Sequence, residues 1–184
     1  MSIRPALQRG ITLIEQIMFI LIVSVGVIGL VSVMNPAIRS SADPMLTKQL
    51  VAIAESVLNE AMHQPFTWCD PDDAAASTAL SYAGCTNPQN AFGPTPAAET
   101  RYAAGTGTAF DNVADYAGFS MANIDDPSGS NPMAGYSASI AVARVGTALG
   151  LADDSAALSV TVTVTHGTES FSLTGYRFRY APRI

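Results

Sequence analysis

An uncharged apolar run constrains this chain more than any other feature. Residues 16–34 read QIMFILIVSVGVIGLVSVM and carry no charged side chain. Counted from Ile11, the segment is about 24 residues, roughly 36 Å as a helix. A bilayer's hydrocarbon core is about 30 Å thick, so the run can cross one with some tilt. Gly26 and Gly29 are acceptable within it, because lipid-spanning helices carry more glycine than soluble ones. Arg4 and Arg9 precede the run. The positive-inside bias then places residues 1–10 in the cytoplasm and everything after about Pro36 outside it.

Three readings of this segment compete. A secretory signal peptide could be cut after Ser40-Ser41-Ala42, where small residues have suitable spacing. Against it, the apolar run is too long, Arg39 lies near the cut and Pro44 follows closely. An uncut membrane anchor is the second reading. The third is a leader removed on the cytoplasmic side between Gly10 and Ile11, which leaves the helix on the mature chain. Glu15 separates the last two. A carboxylate in an apolar segment costs about 2.5–3.5 kcal/mol at mid-membrane and less near the edge. In a plain anchor it would sit at the interface and reach water, helped by the helix N-terminus. After cleavage, the new Ile11 amine offers a positive partner. In side-by-side packing, Glu15 of one subunit meets that amine on its neighbour and sets the stagger between them.

Gly10-Ile11-Thr12-Leu13-Ile14-Glu15 resembles the N-terminal signature of the type IV pilins and pseudopilins. The resemblance implies cleavage between Gly10 and Ile11 by a prepilin peptidase, N-methylation at Ile11, and Glu15 as the assembly residue. Two positions depart from the family pattern: Ile11 stands where phenylalanine is usual, and Pro36 lies a few residues later than the usual helix proline. The motif covers only about a fifth of the chain.

With 184 residues, 48% hydrophobic and 13% charged, the chain suits one small extracytoplasmic domain on a membrane helix. Loss of Arg4 and Arg9 would take the formal charge from −6 to −8. An acidic chain whose one lysine is Lys48 is a poor nucleic-acid binder, so no nucleic acid is expected as a partner. Cys69 and Cys85 both follow the apolar segment. In an oxidising periplasm they form one expected disulfide, closing a loop of about 17 residues worth ~3 kcal/mol on the loop-entropy model. Unlinked thiols are the alternative; a zinc site lacks clustered histidines.

Within residues 45–63, Leu46, Leu50, Ile53, Ala54, Val57, Leu58 and Ala61 share one helical face. Asp43-Pro44 reads as a cap and first-turn proline, and Pro65 as the stop. The spacing predicts a second, amphipathic helix over 35–65, after a break at Asn35-Pro36, with its stripe covering a sheet. Leu158, Val160, Val162 and Val164 alternate with Ser159, Thr161, Thr163 and Thr165, a strand with one buried face. Residues 136–145 and 170–180 read as further strands, with a turn at His166-Gly167-Thr168-Glu169. Apolar parity changes from Phe171 and Leu173 to Tyr176, Phe178 and Tyr180, so a bulge near Gly175 is expected. Residues 66–135 are rich in Ala, Gly, Ser, Asp, Asn and Pro, a loop region of functional or variable character.

These pieces give an α+β chain of five stretches: leader 1–10, membrane and assembly helix 11–34, periplasmic helix 35–65, disulfide-bearing loops 66–135, and antiparallel sheet 136–184. The order matches the pilin layout. The stretches 48–56, 64–73 and 110–116 are further similar to minor pilins of mannose-sensitive haemagglutinin (MSHA) pilus systems. The resemblance implies a Gram-negative inner-membrane subunit, single-pass with its N-terminus inside and its globular part in the periplasm, moving into a pilus on assembly. Its implied partners are the prepilin peptidase, other major and minor pilins, and the pilus assembly platform. Two alternatives stay open: a tip adhesin that binds through the 66–135 loops, and a type II secretion pseudopilin.

No enzyme site is expected. His63 reads as a helix-end residue and His166 as a strand-end residue. Ser137 and Ser139 lack a nucleophile elbow, and Gly105-Thr106-Gly107 has neither the lysine nor the context of a phosphate loop. Asp70, Asp72 and Asp73 could offer oxygens to calcium, but EF-hand spacing fails: no glycine stands at the sixth position and Ser81 occupies the twelfth. Asp125 and Asp126 form a second acidic pair. Some pseudopilins bind calcium through loops near their sheets, so calcium stays open beside the plain reading of solvated, turn-forming aspartates. No catalytic metal or other cofactor is expected. Arg177 and Arg179 share a strand face with Arg183 nearby, and read as a solvated face or as partners of an acidic neighbour. A contact with another pilin is the next reading, and DNA capture a remote third.

Overall fold

The computed structural model describes residues 10–103 and 108–179, with backbone alone over 35–43. Arg4, Arg9, Gly105-Thr106-Gly107, Tyr180 and Arg183 lie outside the described residues. The chain divides into two units, Met1–Leu46 and Thr47–Ile184, each treated by itself. The architecture is α+β: one N-terminal helix and a four-stranded antiparallel sheet.

Helix α1 spans Leu13–Met62. The break expected at Asn35-Pro36 does not occur, and Pro44 is not the start of a second helix. A proline removes one backbone donor and crowds the preceding turn; here the helical backbone continues on both sides of each. Pro65 does follow the helix end. The first unit's part, Leu13–Met34, is apolar and bare: none of it is buried, and it is long enough to cross a membrane. Its serines do not disturb that surface. Ser24 Oγ donates to the Ile20 carbonyl at 2.6 Å and Ser32 Oγ to that of Gly29 at 2.8 Å, which satisfies them within the helix.

In the second unit, Leu50, Ile53, Ala54, Val57, Leu58 and Ala61 are all buried, the face read from their spacing. Leu46, in the first unit, is half-exposed. The sheet is a meander in the order β1 (Ser120–Met121), β2 (Tyr136–Arg144), β3 (Ala157–His166) and β4 (Glu169–Phe178). Strand β1 lies inside the stretch expected to be loop, pairing Ser120 with Ser139 and Met121 with Ala138. Leu158, Val160, Val162 and Val164 are buried, and their threonine neighbours face the other side. A two-residue turn joins β3 to β4, with His166 opposite Glu169 and Gly167 at φ +59°, the positive φ that glycine supplies most readily in such hairpins.

The expected bulge near Gly175 is absent. Register runs without interruption from Ala157 opposite Phe178 to His166 opposite Glu169. Gly175 therefore lies on the inner face beside Phe171 and Leu173, while Tyr176 and Phe178 stay on the outer face, 51% and 49% exposed. The helix explains the glycine. A Cβ added there would lie 3.4 Å from both Leu58 methyls and from Met62 Sδ, so α1 occupies the space a side chain would need. Gly175→Ala is expected to change stability little. Gly175→Leu is expected to destabilise the domain by about 1–3 kcal/mol through overpacking. Urea denaturation followed by the fluorescence of the single tryptophan, Trp68, checks both.

Candidate functional site

The first candidate site is the start of α1. Thr12 acts as its cap: its carbonyl accepts the Gln16 N–H at 3.1 Å, and its hydroxyl accepts the Glu15 N–H at 3.4 Å. Gly10 and Ile11 precede the helix and are exposed, Ile11 at 72%. Ile11, Glu15, Gln16 and Phe19 line one shallow hollow of about 200 Å³ on the helix surface. The Glu15 carboxylate has no hydrogen-bond or ion-pair partner among the described residues. A carboxylate at the third helical position is favoured by the helix dipole, yet its neighbours here are exposed apolar side chains, including Leu13, Ile14, Met18 and Phe19.

The second region is the stretch 66–135, which is held by polar chemistry. Arg101, 3% exposed at its side chain, donates from Nε and Nη2 to the two Glu60 oxygens at 2.7 and 2.8 Å, a bidentate pair onto α1. Its Nη1 donates to Asp125 Oδ1 at 3.0 Å and to the carbonyls of Asp125 and Asp126. Burial acts against its charge, but Glu60 outweighs this and holds Arg101 above its ordinary pKa. The Tyr116 hydroxyl donates to Glu60 at 3.0 Å. Burial foremost, then Glu60, raises the pKa of that phenol. A short 3-10 turn, Val113–Tyr116, carries a full capping box between Asn112 and Asp115.

Cys69 and Cys85 are joined in a disulfide. Beside them Arg179 does not stand on a solvated face. Its guanidinium lies 3.9 Å from the ring centres of both Phe66 and Trp68, and it donates to the Tyr82 hydroxyl at 3.1 Å and to the Ser155 carbonyl at 3.2 Å. Burial lowers its pKa. Arg144 bonds the Asn90 carbonyl at 2.6 Å and lies over Phe92. Arg177, opposite Leu158, is half-buried on the inner face, its Nε unpartnered. The expectation of a solvated arginine face is thus corrected for Arg179, which packs against aromatic rings.

The acidic residues divide. The Asp73 carboxylate accepts three backbone N–H groups, from Ala75, Thr86 and Asn87, which hold its pKa below the usual range. Asp72 is exposed. Asp125 pairs with Arg101 and accepts from Tyr102. Asp126 organises its own turn, with Ser128, Ser130 and Asn131 holding it down at about 2. Asp70 alone joins a group of carboxylates, with Glu99 and Asp111, whose ligand oxygens all lie within 4.8 Å of one another. Burial raises all three pKa values, Glu99 to about 8 and Asp111 to about 7. The charges that act on Glu99, those of Asp115, Asp111 and Asp70, are all negative. Spacing along the sequence did not single out Glu99 or Asp111, since neither shares a local motif with Asp70.

Among the histidines, His63 Nδ1 lies 2.6 Å from the Asn59 carbonyl, and His166 packs its ring on Tyr136 at 4.3 Å. Ser137 bonds Thr165 across the sheet, and Ser139 is exposed on β2. No family model matches this chain, and neither a curated protein nor a solved structure matches it.

Removing the Arg101 guanidinium should leave Glu60 and Asp125 with no ion-pair partner in a nearly dry site. Arg101→Met is expected to destabilise the domain by about 3 kcal/mol, the low end for a broken buried pair, because Glu60 and Asp125 keep some contact with water. Thermal or urea unfolding of the full chain in detergent measures it.

Proposed function

We propose that this chain is a subunit of a type IV filament system, a minor pilin or pseudopilin whose role is structural. Its particular place is in an MSHA-type pilus, where it resembles the D-type minor pilin. The observation that carries the reading is the bare apolar surface of Leu13–Met34, with Glu15 near its start just after Gly10-Ile11. In this reading the chain enters the inner membrane with its N-terminus inside and its globular domain in the periplasm. A prepilin peptidase cuts between Gly10 and Ile11, and Ile11 is N-methylated. The helix then leaves lipid for a bundle of other pilins' helices, exchanging one apolar surrounding for another, with the assembly platform supplying the work. The α+β layout, with a helix covering a meander, supports a pilin-like fold.

Glu15 sets the register. Its carboxylate has no partner among the described residues, and the amine created at Ile11 of a neighbour supplies one. A neutral isostere keeps the helix cap, because glutamine serves at the third helical position as well as glutamate. It removes only the charge.

Co-expression with a prepilin peptidase, followed by mass spectrometry, tests the pathway. A chain beginning at methylated Ile11 is expected. A chain starting at Met1 or at Asp43 would overturn the reading and leave a membrane-anchored or secreted binding domain. In cells that build the pilus, Glu15→Gln and Glu15→Ala are both expected to abolish filaments while the protein still accumulates in the membrane. Filaments retained with attachment lost on loop variants would instead mark a tip adhesin. Lost protein export would mark a secretion pseudopilin.

A further inference from the structure

We propose that Asp70, Glu99 and Asp111 form a binding site for a single calcium ion that ties together the 66–135 stretch. The proposal is independent of the filament reading and stands or falls separately.

Three observations on the geometry carry it. First, the three carboxylates come from distant parts of the chain, yet their ligand oxygens lie within 4.8 Å of one another. Second, the fold leaves four of the six carboxylate oxygens unmatched, while Asp70 Oδ1 accepts the Asp72 N–H at 2.8 Å. Glu99 is 3% exposed and neither of its carboxylate oxygens has a hydrogen-bond partner; Asp70 Oδ2 and Asp111 Oδ1 are likewise buried and unpartnered. A buried carboxylate without donors costs several kcal/mol unless something positive joins it. Third, Arg101, two residues along the chain from Glu99, is committed elsewhere, to Glu60 and Asp125.

The donor chemistry selects the ion. All the ligand atoms are carboxylate oxygens, with no imidazole or thiolate, so a hard cation is required. Four unpartnered oxygens, two of them on Glu99, suit the mono- and bidentate carboxylate coordination that calcium accepts at irregular geometry. Magnesium demands a near-ideal octahedron and keeps several waters, which a largely buried group has little room to hold. Glu99 also lines, with Asp115, Phe110 and Phe119, an open cleft of about 300 Å³. The remaining ligands would be backbone carbonyls or water. The competing arrangement is a proton shared between Asp70 and Glu99.

The test uses the full chain in detergent, stripped with EDTA and dialysed. Equilibrium dialysis against calcium chloride is expected to give one bound ion per chain, with an affinity in the 10⁻⁴–10⁻³ M range of extracellular sites. At a hundredfold excess over that affinity the unfolding midpoint should rise by roughly 5–10 °C. Glu99→Gln and Asp111→Asn are expected to bind no calcium and to lose the rise. Without calcium, each variant should be at least as stable as the parent chain, because like charges have been removed from a buried cluster; that result separates loss of a ligand from loss of the fold. Absence of bound calcium at 10 mM, with an unchanged midpoint, would overturn the proposal and leave the shared proton. Equal stabilisation by magnesium would overturn the choice of calcium.

Discussion

The Arg101–Glu60 pair is the contact on which the loop-rich part of this domain depends. Residues 66–135 bury few apolar side chains for their length, chiefly Phe110, Val113, Tyr116, Met121 and Ile124, so polar contacts share in holding them to the helix. A guanidinium that is 3% exposed must have its donors satisfied, and that need dictates where the chain goes. Two donors take the Glu60 carboxylate on α1, and the third reaches the Asp125 side chain and the backbone of Asp125 and Asp126. Tyr116 shares the same glutamate. Edge-on ring contacts, Phe110 with Tyr116 and with Phe119, fill the space beside it. Such a network contributes less net stability than its hydrogen bonds suggest. Its effect is to make other arrangements of the loop expensive.

A second anchor works at the other end of the stretch. The disulfide closes residues 69–85, and Arg179 stacks between Phe66 and Trp68 while bonding Tyr82. The arginine comes from just past β4, so the sheet itself clamps the disulfide loop. Gln89 then donates to Asp115, and Asn112 to Thr67, which joins the clamped part to the capped turn at Val113–Tyr116. Asp70 belongs to the clamped loop, Glu99 precedes Arg101 by two residues, and Asp111 precedes the capped turn. The two anchors therefore bring the three carboxylates together, although no local motif does.

Some of this was legible in the sequence because the signals were local. The stripe from Leu50 to Ala61 and the alternation from Leu158 to Val164 each report one face of one element, and both faces are buried as read. The bulge at Gly175 failed for a physical reason. The parity argument assumed that Tyr176 and Phe178 must be covered, whereas the inner position at Gly175 is already filled by Leu58 and Met62 from the helix. The break at Asn35-Pro36 failed because a proline deletes one donor without obliging its neighbours to leave the helix. The acidic group was invisible for another reason: EF-hand reasoning compares positions within about a dozen residues, and Asp70, Glu99 and Asp111 are gathered from well beyond that window. Arg179 was placed correctly by parity and misjudged in surroundings, since its aromatic partners Phe66, Trp68 and Tyr82 lie in or just before the disulfide loop, far from it in sequence.

Polar groups that the fold leaves unmatched carry the functional argument in both units. In the apolar part of α1, Ser24 and Ser32 return their hydroxyl protons to the helix, and the Thr12 hydroxyl caps its first turn. The Glu15 carboxylate there has no partner among the described residues. In the globular unit, Asp73 and Asp126 are saturated by backbone and hydroxyl donors, and Asp125 by an arginine. Four oxygens of Asp70, Glu99 and Asp111 are not, although Asp70 Oδ1 accepts the Asp72 N–H at 2.8 Å. Gln89, Arg144, Arg177 and Arg179 each leave one buried atom unpartnered as well, but among the described residues only Asp70, Glu99 and Asp111 gather four such carboxylate oxygens in one place. Leaving them open is coherent if their positive partners come from outside the folded monomer: another subunit's amine for Glu15, and a calcium ion for the buried three.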